Sequence, residues 1–152
     1  MPKLFNESQI KGLTTELICM QKFIEYGFIV SVPYGNNSRY DLLIDCGNNQ
    51  YYRIQCKTAT WAKDTIEQDV AFEIRTYCTS TNTKRNIRHK YSVDEIDYFY
   101  TWFNGQGYLV SIQEANGTNF RWRYEYPPTG QKQGIHIADE YKIEEVIYSL
   151  MV

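Results

Sequence analysis

Four residues of this 152-residue chain have the types and the order for phosphodiester chemistry: Glu16, Asp41, Gln55 and Lys57. Two carboxylates and an amide oxygen are hard ligands suited to Mg2+. A lysine beside them orients a water or stabilises charge developing on phosphate. Each residue alone has a plainer reading. Glu16 also reads as a helix-edge glutamate that reaches water, and Gln55 with Lys57 as an exposed polar strand face. The chemical reading needs all four together, so it depends on the elements that carry them.

Ile10, Leu13, Leu17, Met20 and Ile24 recur at helical spacing, which predicts a helix from Glu7 to Tyr26 stopped by Gly27. Leu13, Leu17, Met20, Phe23 and Ile24 form its expected buried arc. Glu16 falls inside that arc, where an unpaired carboxylate is costly or becomes protonated, so it needs a partner on the sheet. "YDLLIDC" and "YYRIQCKT" read as a hairpin around Gly47-Asn48-Asn49. Alternation puts Arg53, Gln55 and Lys57 on one face and Ile54 with Cys56 on the other. Asp41 and Asp45 share a face but lie about 13 Å apart along the strand. Only one fits a compact site, and Asp45, next to the turn, reads as a solvated turn residue. Directly opposed residues share a face, so Asp41 opposes Gln55 only if the connection has three or five residues or a compensating bulge.

The rest of the chain predicts strands at Phe28–Tyr34, Asp69–Tyr77, Asp97–Phe103, Gly107–Ile112 and the run beginning at Asn119. Ser92 reads as the cap of one helical turn. The basic stretch around 78–91 reads as a loop and 138–151 as a terminal helix. The resulting fold class is α/β, a mixed central sheet flanked by helices, in one domain spanning 1–152.

Net charge is −2, so no global charge advertises a polyanionic partner. Its distribution is uneven: residues 1–91 carry 12 Lys/Arg against 9 Asp/Glu, and residues 92–152 carry 4 against 9. A basic surface therefore belongs to the first part. The four cysteines show no C-x-x-C spacing and sit beside apolar residues, which favours reduced core thiols over a zinc site. Two histidines argue against His-rich metal centres, and no phosphate-binding glycine signature is present. The start of the chain lacks an apolar signal core, and no apolar run reaches membrane length; the expected setting is the reducing interior of the cell, the cytoplasm.

Glu16…Asp41…Gln55-Cys56-Lys57 resembles the PD-(D/E)XK nuclease superfamily, in which a helix glutamate precedes a hairpin carrying D…(D/E)-x-K. Tyr40 stands where the motif has Pro, and Gln55 where it has an acid, which removes one anionic ligand. "GLTTELICMQKFIEYGFIVSVPYGNNSRYDLLID" and "YSVDEIDYFYTWF" extend the likeness to a group I intron-encoded homing endonuclease branch of cyanobacterial type, which carries the glutamine form. The likeness is clearest from Lys11 to Phe103. It implies a restriction-endonuclease-like core with Glu16, Asp41, Gln55 and Lys57 as catalytic residues. Glu16, Asp41, Gln55 and the Cys56 backbone carbonyl are the implied metal ligands, with Mg2+ as cofactor and Mn2+ as the alternative ion. The implied activity is double-strand cleavage of DNA at a long pseudo-palindromic target by a homo-oligomer, a tetramer rather than a dimer.

If DNA is the partner, Lys84, Arg85, Arg88, His89 and Lys90 form the densest basic cluster for phosphate contact, and Arg53 shares the strand face of Lys57. The same cluster also reads as a solvated charge run. Arg75, Arg121, Arg123 and the Gln131-Lys132-Gln133 stretch are further candidates. Subunit contacts are sought in "DYFYTWF" and "YKIEEVIYSLM", which read equally well as core. The alternatives to a homing enzyme are a restriction enzyme or junction resolvase on the same core, a non-catalytic DNA-binding protein, and an oligomeric structural protein.

Overall fold

The computed structural model describes residues 4–35, 37–82 and 85–151. Helix α1 spans Glu7–Glu25. Asn6 caps it: its Oδ1 accepts from the Gln9 backbone N–H while Gln9 Oε1 accepts from the Asn6 N–H, which satisfies two otherwise orphaned donors. Gly27 ends it at φ 89°, a conformation glycine adopts without a Cβ penalty.

Strands β1 (Ile29–Ser31), β2 (Leu42–Gly47) and β3 (Gln50–Cys56) follow as an antiparallel meander. Then come β4 (Thr60–Trp61), β5 (Ala71–Arg75), β6 (Tyr77–Asn82), β7 (Arg85–Lys90), β8 (Tyr98–Phe103), β9 (Gln106–Ser111) and β10 (Asn119–Arg123). A 3-10 turn, Ala138–Tyr141, precedes helix α2, Ile143–Leu150. The main sheet has the order β1-β2-β3-β8-β9, and β8 joins β3 in parallel, which makes it mixed. A second sheet has the order β10-β5-β4, and β6 with β7 forms a separate ribbon.

Two cores result from the alternation of the main sheet. Leu42, Ile44, Ile54, Cys56, Tyr100 and Leu109 meet Cys19 and Phe23 of α1 and Ile143, Ile147 and Leu150 of α2. Phe99, Tyr108 and Val110 meet Phe72, Ile74, Phe120 and Trp122 from the second sheet. Both segments expected to offer subunit contacts give side chains to the core, while Tyr148 and Met151 of the second stay exposed. Phe99, Tyr100 and Thr101 are fully buried, as are Ile143, Ile147 and Leu150.

Three expectations need correction. The segment 78–91 is largely a β-ribbon rather than a loop, paired from Tyr77↔Lys90 to Asn82↔Arg85. Its polar composition hid it, because a two-stranded ribbon held at one end has no core face to show as periodicity. The terminal helix is broken at Lys142, whose ψ of 140° is extended. The buried face of α1 is centred on Thr15, Cys19 and Phe23. Leu13, Leu17 and Ile24 lie on solvent, with Leu17 61% exposed. The arc was misphased because Thr15 and Cys19 are weakly apolar and small, while the exposed stripe holds the large side chains.

Candidate active site

The β2–β3 hairpin turns on Asn48 and Asn49, both at positive φ, 54° and 61°. Such a two-residue turn alone would place Asp41 on the wrong face. The register shift between Asp45 and Gly47 supplies the compensating bulge, with Cys46 as the extra residue. Beyond it the pairs run Asp45↔Tyr51, Ile44↔Tyr52, Leu43↔Arg53 and Leu42↔Ile54. Asp41 lies one residue before β2 and steps out of this register: its N–H donates to the Ile54 carbonyl at 2.9 Å, which puts it next to the Ile54–Gln55 stretch. Asp45 takes the turn role expected of it: its Oδ1 accepts from the Gly47 N–H.

Asp41 Oδ2 accepts from the backbone N–H of Cys56 at 2.9 Å. Burial nevertheless pushes its pKa up, against the opposing pull of that hydrogen bond and of Lys57. Burial and then the nearby Asp41 charge likewise push Glu16 up. Helix and hairpin thus bring two half-buried carboxylates within range of mutual repulsion. The Gln55 side-chain amide lies against the Cys56 carbonyl, donating at 3.3 Å. The Cys56 thiol itself, hydrogen-bonded to the free thiol of Cys19 and buried, is pushed well up and stays a neutral core group. Among the described residues no three His, Cys, Asp or Glu side chains gather as a metal cluster. The ligands expected from the sequence are two carboxylates, one amide and one carbonyl. A hard divalent ion fits them, because all donors are oxygens and the two anions repel each other without a cation.

Lys57 continues β3, its N–H bonded to the Tyr100 carbonyl at 2.8 Å. Its ammonium donates to the Tyr77 carbonyl at 3.0 Å and stands 4.9 Å from the Tyr91 ring centre. Burial pushes its pKa down. Lys57 also lines a cleft of about 970 Å3. The cleft runs between the first turns of α1 (Glu7, Lys11), the second sheet (Arg75, Asn119), Thr58 and Thr60 after β3, and the ribbon (Tyr77, Thr79, Arg88). Lys11, Thr58, Thr60 and Asn119 were not foreseen. Nothing local marks them, since the cleft is formed by elements distant in sequence.

The basic candidates separate by their surroundings. Register places Arg88, opposite Thr79, and Lys90, opposite Tyr77, on one face of the ribbon. Arg85 and His89 take the other face, where His89 Nε2 bonds Ser80 Oγ at 2.8 Å. Arg88 stacks over Tyr77 at 4.8 Å on the cleft wall. Lys84 lies outside the described residues. Arg53 is committed to the fold: its guanidinium pairs with both Asp97 carboxylate oxygens at 3.1 Å and donates to the Val93 and Asp94 carbonyls. Arg121 is likewise held by Asp64 and Glu73.

The profile of the PD-(D/E)XK endonuclease family matches residues 6–144. No curated protein matches the sequence. Among solved structures, the chain resembles that of a bacterial homing endonuclease, I-Ssp6803I, with a TM-score of 0.73 and 17% identity, over 96% of this chain and 94% of the other.

Proposed function

This chain belongs to the PD-(D/E)XK endonuclease family, and on that premise we propose that it is a Mg2+-dependent, site-specific endonuclease that makes double-strand breaks in DNA, acting in intron homing in a bacterial cytoplasm. The observation that carries the reading lies at the bulged β2–β3 hairpin. At the open end of that hairpin the Asp41 carboxylate accepts the Cys56 N–H, next to Gln55 and within repulsion range of Glu16, which supports the reading. The likeness of the fold to that of a bacterial homing endonuclease supports the homing role.

In this reading Glu16, Asp41, Gln55 and the Cys56 carbonyl hold Mg2+, with Mn2+ as a substitute. Bound there, the ion supplies Lewis-acid polarisation of the phosphate and a more acidic water. Asp41 is oriented by the Cys56 N–H, so one carboxylate oxygen faces the site. Lys57, held at the cleft wall, orients the attacking water or meets the charge developing on the scissile phosphate. Lys11, Arg75 and Arg88 line the path of the DNA backbone and neutralise phosphates. Arg85, His89 and Lys90 extend the same basic arm. Arg53, occupied by Asp97, is not part of the contact set.

Cutting both strands requires two sites, so the protein acts as a homo-oligomer, a tetramer rather than a dimer, on a long pseudo-palindromic duplex. The exposed stripe of α1 supports self-association. Ile10, Leu13, Leu17 and Ile24 are exposed along one side of the helix over about 21 Å.

Incubation with randomised duplex DNA and Mg2+, followed by sequencing of the cut ends, tests the proposal. One recurrent long site is expected. Cuts at branched structures point to a junction resolvase, and a short recurrent site to a restriction enzyme. Gln55 in place of the motif's acid favours a second reading, a DNA-binding protein without catalysis. Binding with no cleavage in Mg2+ or Mn2+ decides for it. No helix among the described residues is long and apolar enough to cross a membrane.

A further inference from the structure

The β6–β7 ribbon pairs only with itself among the described strands, and an isolated two-stranded ribbon is marginally stable in water. Its root is held by one side chain. Arg39 Nη1 donates to Cys78 Sγ on β6 at 2.7 Å, and Nη2 donates to the Lys90 and His89 carbonyls on β7 at 3.0 and 3.4 Å. The guanidinium therefore spans both strands. Glu95 pairs with its Nε at 2.7 Å, and the Tyr91 ring lies 4.2 Å away. The same ring receives Lys57, whose ammonium is bonded to Tyr77, the first residue of the ribbon. Arg39 also stands two residues before Asp41, at the entry to the reacting end of the sheet.

We propose that Arg39 is a positioning residue for cleavage: by clamping both strands of the ribbon it fixes the Tyr77 carbonyl that holds the Lys57 ammonium. The basic arm and the reacting lysine then move as one body, so seating the arm on DNA also sets Lys57. The clamp needs a planar fork with several donors in fixed directions. A lysine keeps the charge but supplies only a point donor. This inference rests on the nuclease reading of Lys57.

The test uses the full chain carrying Arg39→Lys or Arg39→Ala and the duplex recovered from randomised DNA with Mg2+. Three quantities are measured: the single-turnover cleavage rate at saturating protein, the affinity for that duplex without divalent metal, and hydrogen exchange of the 77–82 and 85–90 amides. The expected result is a rate loss of about 10- to 100-fold, in line with small misplacements of a reacting group. Affinity changes by less than about fivefold, exchange at the ribbon is faster, and Arg39→Lys gives no rescue. If Arg39→Ala does not fold, Arg39→Lys alone decides the matter. Wild-type cleavage by Arg39→Lys, or unchanged ribbon exchange, overturns the clamp. Equal losses of rate and affinity that Lys restores make Arg39 a phosphate contact and also overturn it. No cleavage by the wild-type protein is a different outcome: the nuclease reading fails, and the inference falls with it.

Discussion

The carboxylate of Asp41, the residue just before β2, accepts the backbone N–H of Cys56 at the end of β3 at 2.9 Å. The contact joins the hairpin's open end to the stretch that carries Gln55 and Lys57. It depends on the single extra residue near Cys46.

Asp41→Asn is expected to abolish cleavage and leave DNA affinity within about threefold, since phosphate contacts position the duplex. Asn Oδ1 still accepts from Cys56, so the fold survives. In the native state Asp41 and Glu16 both hold protons more tightly than an unfolded chain does. Between the ordinary and the raised pKa the folded protein binds more protons than the unfolded one. Stability of the metal-free protein therefore falls as pH rises through that interval, then levels off. Thermal melts of Asp41→Asn should show a smaller fall. Mg2+ should raise the Tm of the wild type and not that of the variant.

Lys57→Ala is expected to reduce cleavage by at least about 1,000-fold, the scale of losing a preorganised charge at the reacting phosphate. Affinity for the duplex should change little, because one phosphate-range contact among several is lost. A Lys57→Ala protein that cuts at the wild-type rate would falsify the assignment of this lysine.

Gln55→Glu restores the acid at the motif position. Activity is expected to persist, with the Mg2+ dependence of the rate shifted by the added negative ligand. A titration of rate against Mg2+ concentration checks it. Complete inactivity would show that the amide has a role other than metal ligation.

Arg88 and Arg53 should part ways. Arg88→Ala is expected to weaken DNA binding and reduce the salt dependence of binding by about one unit of slope, with little effect on Tm. Arg53→Ala removes the Asp97 pairing and is expected to lower stability by about 1.5–3 kcal/mol, the range for hydrogen bonds to charged groups. Salt-titrated affinities and denaturant melts of both variants distinguish the two roles.

Leu17→Glu places a charge at the middle of the exposed α1 stripe. Sedimentation at micromolar protein is expected to show a species well above 18.0 kDa for the wild type and a monomer for the variant, with the far-UV spectrum unchanged. A variant that sediments like the wild type assigns self-association to another surface.

Residue type and order by themselves determined the candidate set and the elements beneath it. Helix α1 with its glycine stop, the β2–β3 hairpin and the β8–β9 pair were legible because each is periodic over its own length. The need for an odd register at Cys46 followed from side-chain alternation alone. The side of α1 that faces the sheet was decided only in the folded molecule. Hydrophobicity marks a stripe but does not say whether this sheet or another surface covers it, and here the sheet took the small side chains. The ribbon, the cleft and the clamp at Arg39 were likewise tertiary matters. Arg39 is bonded to residues about 40 and 50 positions away in the sequence, and its two contacts on β7 are backbone carbonyls. Carbonyls are the same at every residue, so no sequence pattern distinguishes those that a guanidinium will bind from the rest.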